Sequence, residues 1–153
     1  MKISLIIPTY NEQDYLPILL DCLKKQTVQD FEVIVADAAS QDRTCEIAQD
    51  YGATIVAGGL PGVGRNRGAA VAEGTYLFFL DADVQIPKDF IQNALSEIEK
   101  GSIKLATCEA LPLSNLKIDL VMHKFANIFI KLYKDSNPRI PGYCILMQKA
   151  LFD

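Results

Sequence analysis

The chain has 153 residues, half of them apolar, which suits one domain with a sizeable core. Its 15 basic and 19 acidic residues leave a net charge of −4, and no basic block stands out, which argues against nucleic-acid binding. Cys22, Cys45, Cys108 and Cys144 are widely spaced, with no zinc-type pair, and read as buried free thiols of a reducing compartment.

The elements alternate. Ile3 to Ile7 is a compact β-branched strand, ended by Pro8. It is too short for the apolar core of a secretory signal. Asp14 to Lys25 has helical spacing, with Leu16, Leu19, Leu20 and Leu23 on one side. Phe31 to Ala36 is a second strand. Asp42 to Tyr51 is a helix capped by Gly52, and Ala53 to Ala57 a third strand. Arg65 to Glu73 reads as a helix opened by the glycines around Gly62 and Gly64. Thr75 to Leu80 is a fourth strand, opened by Gly74. Pro87 to Lys100 is an amphipathic helix with proline at its start and Gly101 after it. Ile103 to Leu111 reads as a fifth strand, Leu116 to Tyr133 as a long helix, and Gly142 to Met147 as a sixth strand. The loop 134–141 is the one clear break. This alternation predicts an α/β fold, a three-layer α/β/α sandwich around a mostly parallel sheet.

Asp81-Ala82-Asp83 directly follows the fourth strand. Open α/β sheets bind ligands beyond the carboxyl ends of their strands. Mg²⁺ is commonly held by one or two carboxylates plus substrate phosphates, so the triplet suggests a metal–diphosphate site. Two readings suit Pro8-Thr9-Tyr10-Asn11-Glu12. Thr9, Tyr10 and Asn11 could contact a base or ribose, or Asn11 could be a helix N-cap with Asp14 in the first turn. Asp37 stands at the end of the second strand, where it could accept hydrogen bonds from a base or ribose. Asp42 fits the opening of a helix better. The run from Gly62 to Gly68 fails the dinucleotide pattern, because position 67 is Arg67. It reads instead as a glycine-rich loop at a helix start that can face an anion, with Arg65 and Asn66 in reach of a nucleotide. His123, the only histidine, reads as a packed or surface residue rather than a metal ligand. The stripe Ile118, Val121, Met122, Phe125, Phe129, Leu132 is most simply a core face. Leu120, Ile128 and Ile130 widen it enough for a membrane-surface or partner role. The segment is too short and too charged to span a bilayer.

The order SLIIPTYNE, FEVIVADAASQDRT, GVGRNRGAAVAEG, YLFFLDADVQIP and, later, PGYCILMQKALF resembles the family 2 glycosyltransferases. The resemblance implies a GT-A nucleotide-sugar-binding fold. It also implies metal-dependent, inverting transfer of a sugar, of hexosyl type, from a nucleotide-diphosphate sugar to a glycan, lipid or other acceptor. Carried over, Pro8, Thr9, Tyr10, Glu12, Asp37, Arg65, Asn66, Asp81 and Ala82 line the donor pocket, and Asp81 and Asp83 hold Mn²⁺ or Mg²⁺. Ala38 stands where the family often has a second acid, which leaves the base of the nucleotide open. The family's catalytic base lies in a Glu-Asp motif beyond the last matching segment, and no Glu-Asp pair occurs in this chain. The general base is therefore expected beyond Asp153, and Asp153 itself does not read as the base. The expectation is one domain, 1–153, incomplete at its C-terminus, cytoplasmic or peripheral at the inner membrane face. Two rivals are a non-catalytic nucleotide-sugar-binding or scaffold module, and a sugar nucleotidyltransferase. The latter would carry its glycine-rich loop where PTYNE stands.

Overall fold

The structure, a computed structural model, describes residues 3–101, 105–114, 116–133 and 142–152. Its elements in chain order are β1 (Ile3–Thr9), α1 (Leu16–Lys24), β2 (Phe31–Asp37), α2 (Thr44–Tyr51), β3 (Thr54–Ala57), α3 (Pro61–Val71), β4 (Tyr76–Leu80), α4 (Phe90–Gly101), β5 (Leu105–Ala106), α5 (Lys117–Tyr133) and β6 (Cys144–Gln148). The sheet order is β3-β2-β1-β4-β6-β5. β1, β2, β3 and β4 pair in parallel, while β6 is antiparallel to both β4 and β5. The expected mostly parallel sheet is therefore present, and side-chain alternation gives it two buried faces. Ile3, Leu5 and Ile7 face Leu16, Leu19, Leu20 and Leu23 of α1 and Ile91 and Ile98 of α4. Ile6, Ile34, Leu77 and Phe79 face Ala69 of α3 on the other side.

The chain winds from β1 outward to β3, then returns to place β4 on the other side of β1. The strand order reverses between β1 and β4, and a crevice opens beyond their carboxyl ends.

Several elements differ from the sequence expectation, each for a tertiary reason. β1 runs through Pro8 to Thr9. The Thr9 carbonyl accepts from the Ala38 N–H on the β2 side, so Pro8's missing donor faces β4. Pairing with β4 has already ended at Ile6↔Phe79, and no ladder bond is lost. The helix α1 starts at Leu16, and Asn11 is not its cap. Asn11 has φ 55° and bonds across to the β2–α2 loop instead. α4 begins at Phe90 rather than Pro87, whose carbonyl accepts from the Gln26 side chain. β5 is cut to two residues. Its continuation is satisfied by side chains: Thr107 Oγ1 donates to the Cys144 carbonyl, and the Asn127 amide bonds both backbone groups of Ala110. The start of that expected strand, the loop 134–141 and Asp153 lie outside the described residues. All four cysteines are free, but only Cys144 is fully buried.

The glycine-rich segment is not a loop. α3 starts at Pro61, and Gly62, Gly64 and Gly68 lie inside it. Gly64 and Gly68, one turn apart, face the sheet. A Cβ on Gly68 would stand 2.4 Å from Ile6 Cγ2. Alanine normally gains about 1 kcal/mol over glycine inside a helix. Here the added methyl meets a fully buried, β-branched neighbour, and overpacking of that kind costs about 1–3 kcal/mol. Gly68→Ala is therefore expected to lower the urea midpoint with an unchanged m-value. A midpoint at or above wild type would show that α3 can move off the sheet.

Over its described side chains, Ile118 to Phe125, the apolar stripe of α5 is not a core face; Phe129 and Leu132 of that stripe lie outside them. Ile118, Met122 and Phe125 are 67%, 61% and 66% exposed, whereas Asn127 is buried against the body. Among the described residues, no helix is long and apolar enough to cross a membrane.

Candidate nucleotide and metal site

The crevice between β1 and β4 holds a cavity of about 270 Å³ lined by Pro8, Thr9, Tyr10, Glu12, Gly59, Pro61, Arg65, Asp81, Ala82 and Asp83. The sequence points to all of these except Gly59 and Pro61. Those two border the cleft because α3 begins a full turn earlier than the charge pattern suggests. Asp37 stands just behind the cavity, and Asn66 is exposed on α3 without lining it. Asp153, beyond which the general base is expected, is not among the described residues. A second cavity of about 200 Å³, between α4 and β6, is lined mainly by apolar side chains such as Phe78, Phe90, Ile98 and Leu146, with Glu97 and the thiols of Cys108 and Cys144 on its wall.

Two strand ends are zipped together on the β2 side. Thr9 Oγ1 donates to Asp37 Oδ1 at 2.9 Å, and the Ser40 hydroxyl and N–H donate to the same carboxylate at 2.6 and 2.9 Å. Burial pushes the Asp37 carboxyl up, but the donations from Ser40 and Thr9 outweigh it and hold the group below its ordinary range. Asp37 is thus a fixed, ionised acceptor. Ala39, at φ 62°, makes the turn that folds Ser40 back onto it. The Glu12 and Gln13 N–H groups donate to Thr44 Oγ1 and Asp42 Oδ2, so the PTYNE loop is carried by the start of α2. Asp42 serves as a helix-opening residue: its Oδ1 also accepts from the Thr44 N–H. Tyr10 is held away from this network, 60% exposed, with its ring open to the cleft mouth.

On the β4 side Asp81 is half-buried and Asp83 exposed. The Arg65 guanidinium donates from Nη2 to Asp81 Oδ1 at 2.7 Å and to the Gly142 carbonyl at 2.9 Å. Burial raises the Asp81 carboxyl above its ordinary range, with Asp83 adding to the rise and Arg65 only partly offsetting it. Glu12 is raised in the same way, by burial first and then by the charges of Asp83, Asp42 and Asp81.

Three carboxylates around one cleft carry more negative charge than Arg65 balances, and this is the electrostatic setting a divalent cation relieves. Among the described residues, no group of three or more His, Cys, Asp or Glu side chains is disposed to hold a metal unaided. Arg65 Nε is buried and has no hydrogen-bond partner among the described residues.

A mostly parallel sheet with its cleft at the strand-order reversal, carboxylates after β4 and a polar loop after β1 makes an α/β domain with a candidate ligand site at the carboxyl ends of its strands. The family described as glycosyl transferase family 2 matches residues 4–151, and the chain belongs to it. It is 36% identical over 110 residues to the poly(ribitol-phosphate) β-N-acetylglucosaminyltransferase TarS of Staphylococcus aureus, a match covering 65% of this chain and 19% of that protein. It is 32% identical over 148 residues to a poly(ribitol-phosphate) β-glucosyltransferase of Bacillus spizizenii, covering 81% of this chain and 23% of the relative. The chain spans between 19% and 36% of the length of such curated relatives. TarS 1–349 in complex with UDP-GlcNAc superposes with a TM-score of 0.71 at 26% identity, over 99% of this chain and 46% of that one. A mannosyltransferase of Pyrobaculum calidifontis in complex with GDP-Man and Mn²⁺ shares the fold, with a TM-score of 0.79 at 22% identity over 98% of this chain and 45% of the other.

Proposed function

We propose that this chain binds a nucleotide-diphosphate sugar and serves its transfer to an acceptor, with inversion, as the donor-binding portion of a metal-dependent hexosyltransferase. The observation that carries the reading is the convergence of Asp81, Asp83, Glu12 and Arg65 on one cleft beside an ionised Asp37. TarS, a relative at 36% identity, has been solved with UDP and with UDP-GlcNAc, which supports a nucleotide-sugar donor.

Each residue has a role in that reading. Asp37 accepts from the base, the Thr9 hydroxyl, whose hydrogen goes to Asp37, accepts as well, and Tyr10 offers its exposed ring as a stacking surface. Asp81 faces the ribose and, with Asp83, would hold Mn²⁺ or Mg²⁺. The cation would supply compensation for the negative charge that develops on the departing diphosphate. Arg65 adds a fixed positive charge on the same side of the leaving group. Glu12, raised by burial and by the carboxylates around it, is held in its ionised form more readily when positive charge arrives. An inverting transfer also requires a base for the acceptor's proton. The cleft residues named here are assigned to the donor, and none of them, nor Asp153, is assigned as that base.

The test is calorimetric titration of UDP, GDP and dTDP with and without Mn²⁺. Metal-dependent binding of at least one nucleotide is expected, and the preferred one identifies the base. No metal-dependent binding to any of the three would remove the donor-site reading. Binding without sugar-nucleotide hydrolysis would favour a non-catalytic module of the same fold.

A further inference from the structure

We infer that α5 seats this protein on an anionic lipid bilayer, its apolar face Ile118, Val121, Met122, Phe125 entering the headgroup region with Lys117 and Lys124 along one edge. These four residues follow the i, i+3, i+4, i+7 pattern and form one face. In a helix that serves a core, this face would be buried. Here the relation is reversed: Asn127, the residue that packs on the body, lies roughly 180° from the centre of the apolar face at about 100° per residue. The amide of Asn127 bonds both backbone groups of Ala110, so the orientation is fixed by two hydrogen bonds. Leu111, Leu113 and Leu116, which lead into the helix, are exposed as well.

Charge selects the occupant. The chain as a whole carries −4, yet among the described residues of α5 the exposed ionised groups bordering this face are Lys117 and Lys124. Asp119, the acidic residue of the first turn, is half-buried and accepts from the Ser114 hydroxyl. Apolar insertion flanked by lysines is the composition of an interfacial helix, and anionic headgroups complement it.

The position matters for function. β6 is antiparallel to β4 with Cys144 opposite Leu80, and β5 is antiparallel to β6. The chain therefore leaves β5 toward α5 at the same edge of the sheet as Asp81. Tyr143 bridges the two: its hydroxyl donates to the Cys108 carbonyl, and its own carbonyl accepts from the Asp81 N–H. Resting on the donor-site reading above, a bilayer under α5 would bring the cleft edge to acceptors displayed at a membrane surface, so the acceptor class is lipid-linked.

The experiment is flotation of the full chain with vesicles of phosphatidylglycerol and phosphatidylcholine, against phosphatidylcholine alone. Co-flotation with the anionic vesicles, weakened by salt, is expected. Lys124→Glu should lower vesicle affinity on the order of ten-fold, and Phe125→Glu should abolish flotation. Both sites are exposed, so thermal melts should match wild type. Wild type and Phe125→Glu floating equally, or neither floating, would overturn the inference. So would light scattering that shows a dimer dissolved by Phe125→Glu without lipid binding, since the face would then meet a second copy. Metal-dependent nucleotide titration should be unchanged in Phe125→Glu. Flotation with no nucleotide binding would leave the docking standing and remove only the donor reading.

Discussion

Asp83→Asn is expected to weaken Mn²⁺-dependent nucleotide diphosphate binding by at least about 100-fold, the upper end of what even outer-shell substitutions cost a metal site. The side chain is exposed, so the change is isosteric and removes a charge without disturbing the core. Metal-independent binding, which rests on Asp37, Thr9 and Arg65, should survive. Calorimetry with and without Mn²⁺ separates the two contributions. An equal loss in both arms would show that Asp83 supports the cleft rather than the cation.

The same reading fixes a pH dependence. The folded-state carboxyls of Asp81 and Glu12 lie above their ordinary values of 3.8 and 4.5. A carboxyl raised on folding favours the fold while protonated, and that contribution is lost as pH rises through the raised value. Cation binding requires the ionised forms, so it strengthens across the same interval and releases protons. Affinity for Mn²⁺ is thus expected to climb with pH above the ordinary carboxylate range, and the apoprotein to gain more from Mn²⁺ at neutral pH than at pH 4. Asp37 has the opposite sign. Its lowered carboxyl stabilises the fold above the unfolded value of 3.8, and that stability fades as pH falls through the folded value.

How much of this is legible in the sequence depends on the range of the interactions involved. Periodicity is local, so the Leu16, Leu19, Leu20, Leu23 stripe and the buried β4 run can be read directly. The position of Asp81 and Asp83 follows from β4, because a carboxylate after a strand sits at the sheet's carboxyl edge whatever the helices do. Gly64 and Gly68 resemble loop in the sequence because their role is a contact with Pro8 and Ile6, more than fifty positions away. Pro8 looks like a strand end because the relief of its missing donor depends on where β4 stops pairing. The α5 stripe has the right period and the wrong partner: amphipathicity shows that a face is apolar, not what covers it. The Asn11–Ser40 and Glu12–Thr44 bonds join loops about thirty residues apart, and no local pattern announces them.

Arg65 ties these parts together, and its substitution should have the second large effect. One guanidinium nitrogen reaches Asp81 and the Gly142 carbonyl, while Nε has no partner among the described residues. Among the described residues, Arg65 is what favours ionised Asp81 against burial and Asp83, and Arg65→Ala removes it. The Asp81 carboxyl should rise further, and the pH at which Mn²⁺ binding appears should move up with it. Nucleotide affinity at neutral pH should fall about 10- to 100-fold, as for other residues that orient a metal ligand. Arg65→Lys separates charge from shape: an ammonium restores positive charge beside Asp81 but gathers three N–H donors on one atom, where the guanidinium spreads five over a plane that a diphosphate can meet. The lysine variant should therefore recover the wild-type pH profile while nucleotide affinity stays reduced. If alanine left the pH profile unmoved, Arg65 would act on the ligand alone and not through Asp81. A profile that shifts with alanine and returns with lysine would place Arg65 as the residue that keeps Asp81 ready for a cation.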